Sequence, residues 1–178
     1  NLWNGQKAYP VSEKTSCLVS TDGKNWTPVP TDFLPGNRIQ FNLQMTTDKI
    51  YVASVEPYRV SDLDNFLKEI RSNRLIQIKT IGKTVEGRPL EIIRVGNTNA
   101  PHKIFIRARA HSWEPGGNWV VEGLVRSLLD KDAAPYLRKY CIYILPMANK
   151  DGVARGRSRF NILGKDLNRE WDKPADRH

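Results

Sequence analysis

A chain of 178 residues with 39% hydrophobic content can bury a sizeable core and fits one or two domains. No stretch has the apolar length to cross a bilayer as a helix, and two distant cysteines, Cys17 and Cys141, are too few for a disulfide scaffold, so each reads as a small buried apolar residue. The 28 Lys and Arg against 19 Asp and Glu leave a net charge of +9; the basic residues are scattered and no basic, aromatic-interleaved motif occurs, so no specific nucleic-acid partner is expected.

The first residues, Asn1-Leu-Trp-Asn-Gly-Gln-Lys, lack the form of a signal peptide, while the missing initiating Met suggests a processed or trimmed start, which leaves the compartment open. Residues 1–57 read as an antiparallel β-sandwich module: short alternating runs at Ser16–Ser20, Arg38–Leu43 and Lys49–Val55 are broken by Asp22-Gly23, Pro28, Pro30, Pro35-Gly36 and Thr46-Thr47-Asp48. Ser20 to Trp26 reads as a hairpin turn followed by a packed Trp. Glu56-Pro57-Tyr58 makes the join to residues 58–178, where the pattern changes to α/β. There Ser61 is expected to cap a helix over Asp62–Ser72 with Leu63, Phe66, Leu67 and Ile70 on one face. Runs at Ile76–Ile81 and Leu90–Val95, split by Glu86-Gly87-Arg88-Pro89, suggest a hairpin. Lys103–Ala110 reads as a strand, Asn118–Asp130 as a helix and Tyr140–Met147 as a further strand, giving about four strands and two or three helices.

Chemistry concentrates after the last two strands. His111-Ser112-Trp113-Glu114 follows the run 103–110, and an imidazole and a carboxylate three residues apart can converge on one cation; zinc accepts both donors, and a catalytic zinc site uses three protein ligands plus water. Ligand sites in open α/β sheets lie beyond the carboxyl ends of strands. A second block leaves strand 140–147: Asn149-Lys150-Asp151-Gly152, then Arg155, Arg157 and Arg159, then Asp166-Leu167-Asn168-Arg169. Arg155 and Arg157 read as a solvated basic loop. A planar guanidinium matches a carboxylate, with charge-assisted bonds worth roughly 1.5–3 kcal/mol each.

Taken in order, the two blocks resemble the pattern of the zinc metallocarboxypeptidases, H-x-x-E, N-P-D-G, an arginine and D-L-N-R, nearest the cytosolic-carboxypeptidase-like branch and its bacterial relatives. That resemblance implies an N-terminal β-sandwich followed by the first half of a mixed-sheet α/β catalytic domain. It implies that His111 and Glu114 ligate zinc, that Arg159 polarises the scissile carbonyl, and that Asn168 and Arg169 hold the carboxylate of a peptide or protein C-terminus. The chain departs from the pattern at Ser112-Trp113, where Pro-Gly is common, and at Lys150, where Pro is usual. Trp113 is expected to alter the shape of the substrate site, and Lys150 to free a backbone that Pro would fix. The third zinc ligand and the catalytic Glu of such enzymes lie beyond position 178, so the chain reads as an N-terminal fragment, inactive alone. His102 sits at the wrong end of its strand to serve, and His178 is a terminal residue. A cell-wall peptide amidase of the same fold and a non-catalytic peptide-binding relative are the alternatives.

Overall fold

The computed structural model describes residues 15–36 and 38–171 and, in backbone, the short strands at 2–3 and 6–7. The chain divides into two units, Asn1–Pro57 and Tyr58–His178. In the first, the strands are β1 (Leu2–Trp3), β2 (Gln6–Lys7), β3 (Cys17–Ser20), β4 (Thr27–Val29), β5 (Asp32–Leu34), β6 (Arg38–Gln40) and β7 (Tyr51–Ala53). All their pairings are antiparallel: β1 with β2, β3 between β4 and β7, and β5 with β6. Asp22 closes the β3–β4 hairpin by accepting the backbone N–H groups of Lys24 and Asn25 at 2.7 and 2.8 Å, as a short carboxylate does in an Asx-type turn. Trp26 follows, half-buried. The runs expected at 38–43 and 49–55 shrink to β6 and β7; most of their residues are exposed, so no buried face rewards further pairing.

The second unit opens with helix α1 (Val60–Ile70), which buries the four expected residues Leu63, Phe66, Leu67 and Ile70. Its start corrects the sequence reading. Arg59, not Ser61, is the N-cap, and its backbone N–H donates to the carboxylate of Asp62 at 2.7 Å. The charged acceptor three residues on outcompetes a hydroxyl, and Ser61 falls inside the first turn. Then come β8 (Ile76–Lys83), β9 (Pro89–Val95), β10 (His102–Arg107), α2 (Gly116–Leu129), a short 3-10 turn (Lys131–Ala133), α3 (Ala134–Lys139), β11 (Tyr140–Leu145) and α4 (Lys150–Ala154). The sheet order is β10-β11-β9-β8, with β10 and β11 parallel and the other pairs antiparallel. This is a mixed α/β sheet preceded by antiparallel sheets.

The core joins Ile93, Val95 and Ile144 of the sheet to Leu63 and Phe66 of α1 and Val121 and Val125 of α2. Gly96, just after β9, adopts φ +93°, and a Cβ there would sit 3.1 Å from the Tyr140 carbonyl oxygen. Only glycine lets β9 leave the sheet this close to β11. The apolar pattern of α2 is wider than its buried face: Val120 is 70% exposed, and Trp119 packs its ring edge-on against Tyr58 at 4.8 Å. Cys17 and Cys141 are buried and unbridged. No helix of the described residues is long and apolar enough to cross a membrane.

Candidate metal centre

The parallel pair β10–β11 aims both chemical blocks at one place. Strand pairing was expected to run to Ala110 and Met147, and ladder-like bonds do continue, from Ala108 N–H to Leu145 O (2.9 Å), Ala148 N–H to Ala108 O (3.0 Å) and Asn149 N–H to Arg109 O (3.0 Å). β10 nevertheless ends at Arg107, and two residues on Arg109 breaks the extended path, its φ of 57° lying in the left-handed region, costly for a residue with a Cβ. The buried Arg109 side chain compensates by donating to Ser112 O at 2.9 Å and to Asn118 Oδ1 at 2.8 Å. Burial pushes its pKa down to about 10, against the pull of nearby Glu114.

The turn so formed carries His111 and Glu114. His111 is buried, and its Nδ1 lies 3.0 Å from Glu114 Oε1. Its Nε2 lies 3.0 Å from Asp166 Oδ1, whose other oxygen accepts Arg159 Nε at 2.7 Å. Burial alone would raise the Asp166 pKa; hydrogen bonds from Arg159, the Asn168 backbone and His111 outweigh it and hold the carboxylate below its ordinary range. Two donors on one tetrahedral zinc, each at about 2.0–2.2 Å, stand roughly 3.2–3.6 Å apart, so Nδ1 and Oε1 are close to the required bite. A carboxylate on the far imidazole nitrogen is the usual support for a ligating His. The residues present therefore fit two positions of a zinc site. Among the described residues no group of three His, Cys, Asp or Glu side chains is placed so that all three could hold one metal ion. His102 sits at the opposite end of β10 against the Tyr140 ring, and His178 lies outside the described residues.

Beside this pair is a hollow of about 480 Å³ whose walls include Arg107, Arg109, His111, Glu114, Asn168 and Trp171. Arg159 is buried behind it, joined to His111 through Asp166. Arg169 is exposed, its Nη1 turned onto the Asn168 carbonyl at 3.0 Å, so of the five predicted site residues His111, Glu114, Arg159, Asn168 and Arg169 it is the one turned away from the hollow and from the His111–Asp166 pair. Arg155 and Arg157 are exposed, but Arg155 is the C-cap of α4 and its Nε donates to Glu86 Oε1 at 2.9 Å, so it is not a purely solvated loop residue. A roomier hollow of about 750 Å³ near Gly96, Leu129 and Arg138 lacks converging imidazole and carboxylate groups.

The departures from the family pattern acquire physical roles. The Ser112 hydroxyl donates to Arg157 O at 2.7 Å and the Trp113 N–H to Ser158 O at 3.0 Å. Both tie the His111–Glu114 turn to the loop that leads to Arg159, and Pro at 112 would lack the hydroxyl that makes the first of them. Trp113, half-buried, is not among the residues that line the hollow. Lys150, at the first position of α4 where Pro is well tolerated, is buried and paired with the buried Glu91. Sequence reading missed Asp166, although it stands in the same four-residue motif as Asn168; the available signal was that a ligating His needs an acceptor on its second nitrogen. It also missed Arg107 and Arg109, which carried no signal beyond an unexplained alternation of Arg and Ala.

Residues 63–178 match the model of the zinc carboxypeptidase family. Cytosolic carboxypeptidase 6 of Caenorhabditis elegans is 33% identical over 138 residues, covering 72% of this chain and 30% of that protein. The metallo-carboxypeptidase of Burkholderia cenocepacia superposes with a TM-score of 0.84 at 32% identity, over 92% of this chain and 46% of that one. The Pseudomonas aeruginosa metallo-carboxypeptidase, solved with (2-guanidinoethylmercapto)succinic acid, superposes at 0.79 and 28% identity, covering 90% and 44%. The chain thus spans less than half the length of these relatives. With a family match over nearly all of its second unit, the chain belongs to the zinc carboxypeptidase family.

Proposed function

We propose that this chain supplies the first metal-binding and carboxylate-binding residues of a zinc-dependent metallocarboxypeptidase, which removes a C-terminal or side-chain-linked amino acid from peptides. The observation that carries the reading is the 3.0 Å approach of His111 Nδ1 to Glu114 Oε1 while His111 Nε2 faces Asp166. In this reading Nε2–H donates a hydrogen bond to Asp166, which leaves Nδ1 with its lone pair free for a metal and fixes the ring plane. His111 and Glu114 would hold the zinc, which when bound would supply Lewis-acid polarisation of a carbonyl and of water. Arg159, located by its bond to Asp166, offers positive charge to the oxygen of the carbonyl under attack. Asn168, on the wall of the hollow, and Arg169, after reorienting from the Asn168 carbonyl, bind the free carboxylate that defines a C-terminus. The third ligand and the carboxylate that takes the water proton come from the part of the family domain this chain does not cover.

The test uses a polypeptide carrying the whole family domain, incubated with a peptide pool whose C-termini are free or amidated. The expected result is release of single amino acids from free C-termini only, lost on chelation with 1,10-phenanthroline, restored by zinc, and abolished by H111A or E114A. Equal cleavage of amidated peptides would favour the amidase reading; peptide binding without release would favour a non-catalytic relative. Residues 1–178 alone are expected to give no turnover and to retain zinc poorly, having two ligands where a stable site has at least three.

A further inference from the structure

We infer that Arg107, stacked on Trp171, is a positioning residue that orients the Asn168 side chain so that its amide nitrogen is the atom offered to the substrate carboxylate. The inference rests on the carboxylate-binding reading of Asn168 given above. Arg107 is the last residue of β10 and lies on the wall of the same hollow as Asn168 and Trp171. Its guanidinium carbon sits 3.8 Å from the centre of the Trp171 ring. From that stacked position Nη1 donates to Leu167 O at 3.2 Å and Nη2 to Asn168 Oδ1 at 3.3 Å. The indole Nε1 donates to the same Oδ1, also at 3.3 Å.

Two donors from opposite partners converge on one atom of the Asn168 amide. A guanidinium N–H and an indole N–H have no acceptor capacity, so the atom they share is the oxygen. The nitrogen, the only donor of this side chain, then remains for a ligand. An asparagine without these contacts can turn its oxygen toward an incoming carboxylate, which repels it. The arrangement is a consequence of this chain's own residues: a planar cation at the end of an edge strand, a Trp two residues after Arg169, and a turn held to β10 through the Leu167 carbonyl. Burial lowers the Arg107 pKa without displacing it from the charged form at neutral pH.

Because Arg107 acts through Asn168, its loss must be silent once Asn168 is gone. The experiment is a double-mutant cycle in the polypeptide carrying the whole family domain, with R107M, N168A and the pair, on an N-acylated tripeptide with a free C-terminus chosen as the fastest-cleaved of a small panel. N168A is expected to raise KM by at least tenfold, the loss of one charge-assisted hydrogen bond. R107M is expected to raise KM by about five- to tenfold with kcat within about twofold, and R107K to recover part of the loss, because it donates but stacks poorly. R107M/N168A is expected to match N168A alone. W171F keeps an aromatic face and removes only the Nε1 donor; it is expected to raise KM by about threefold, and it serves as the cycle partner if R107M fails to fold. A multiplicative R107M and N168A loss, or a fall in kcat with KM unchanged, overturns the inference while leaving the Asn168 reading intact. An unchanged KM in N168A overturns the Asn168 reading and the inference with it.

Discussion

At the scale of single residues, the site is decided by which atom of each side chain is occupied. His111 has two equivalent-looking nitrogens, and Asp166 distinguishes them by claiming Nε2 at 3.0 Å. Replacing that carboxylate with an amide keeps the shape and removes the charge. D166N is therefore expected to weaken zinc binding by about 10- to 100-fold, the range for loss of a carboxylate behind a ligating His, measured by competition with a colorimetric chelator. Unchanged zinc affinity would mean that His111 does not need Asp166 to present Nδ1. The same reasoning explains why the meeting of His111 with Glu114 could be expected from the sequence and the contacts of Asp166, Arg107 and Arg109 could not. Two ligand-type residues at short spacing announce a shared cation by chemistry alone. A supporting carboxylate 55 residues further on, or an arginine whose partner lies 61 residues away, becomes visible only when the chain has folded them together.

At the scale of elements, the turn after β11 is anchored to the β8–β9 hairpin by buried charge. Lys150 pairs with Glu91, both almost wholly buried. Asp151 accepts Thr84 Oγ1 at 2.7 Å, the Glu86 N–H at 3.0 Å and Arg88 Nη1 at 2.5 Å. Breaking a buried pair by removing one partner strands the other charge, which costs about 3–5 kcal/mol, whereas replacing both with apolar residues is often near neutral. K150M is thus expected to lower stability by that amount and K150M/E91L to recover most of it, read from urea unfolding; no recovery in the double variant would show that the pair acts through something besides its charge. Asp151 gives a pH-dependent counterpart. Burial would raise its pKa, but the Thr84, Glu86 and Arg88 bonds dominate and depress it. A carboxylate depressed in the folded state adds stability above its unfolded pKa of roughly 4 and loses it as pH falls through the folded value. D151N is expected to be less stable than the parent by about 1–3 kcal/mol at pH 7, with the gap closing as pH falls below the unfolded pKa of roughly 4. A gap that stays constant across that range would remove charge from the explanation.

At the scale of the whole chain, the +9 balance is spread over scattered basic residues, and the arginines nearest the site are engaged with Asp166, Asn168, Ser112 and Asn118. Filter binding to DNA or RNA is expected to be weak and steeply salt-dependent, the behaviour of unspecific charge; tight, sequence-selective retention at physiological salt would contradict it. The sequence by itself determined the class of fold, the buried face of α1, the strands that carry the two chemical blocks and the family, because periodicity and ordered short motifs are local properties of a chain. It did not determine the Arg59 cap, the helix at 134–139 or the end of β10 at Arg107, since competing hydrogen bonds and a strained φ settled those boundaries. Only the tertiary structure decided which nitrogen of His111 faces Glu114, that Arg159 reaches His111 through Asp166, and that Arg107 and Trp171 share the Asn168 oxygen. The contacts that decide them, His111 with Asp166 and Arg107 with Asn168, join residues 55 and 61 positions apart, and they form only once the loops after β10 and β11 meet in the fold.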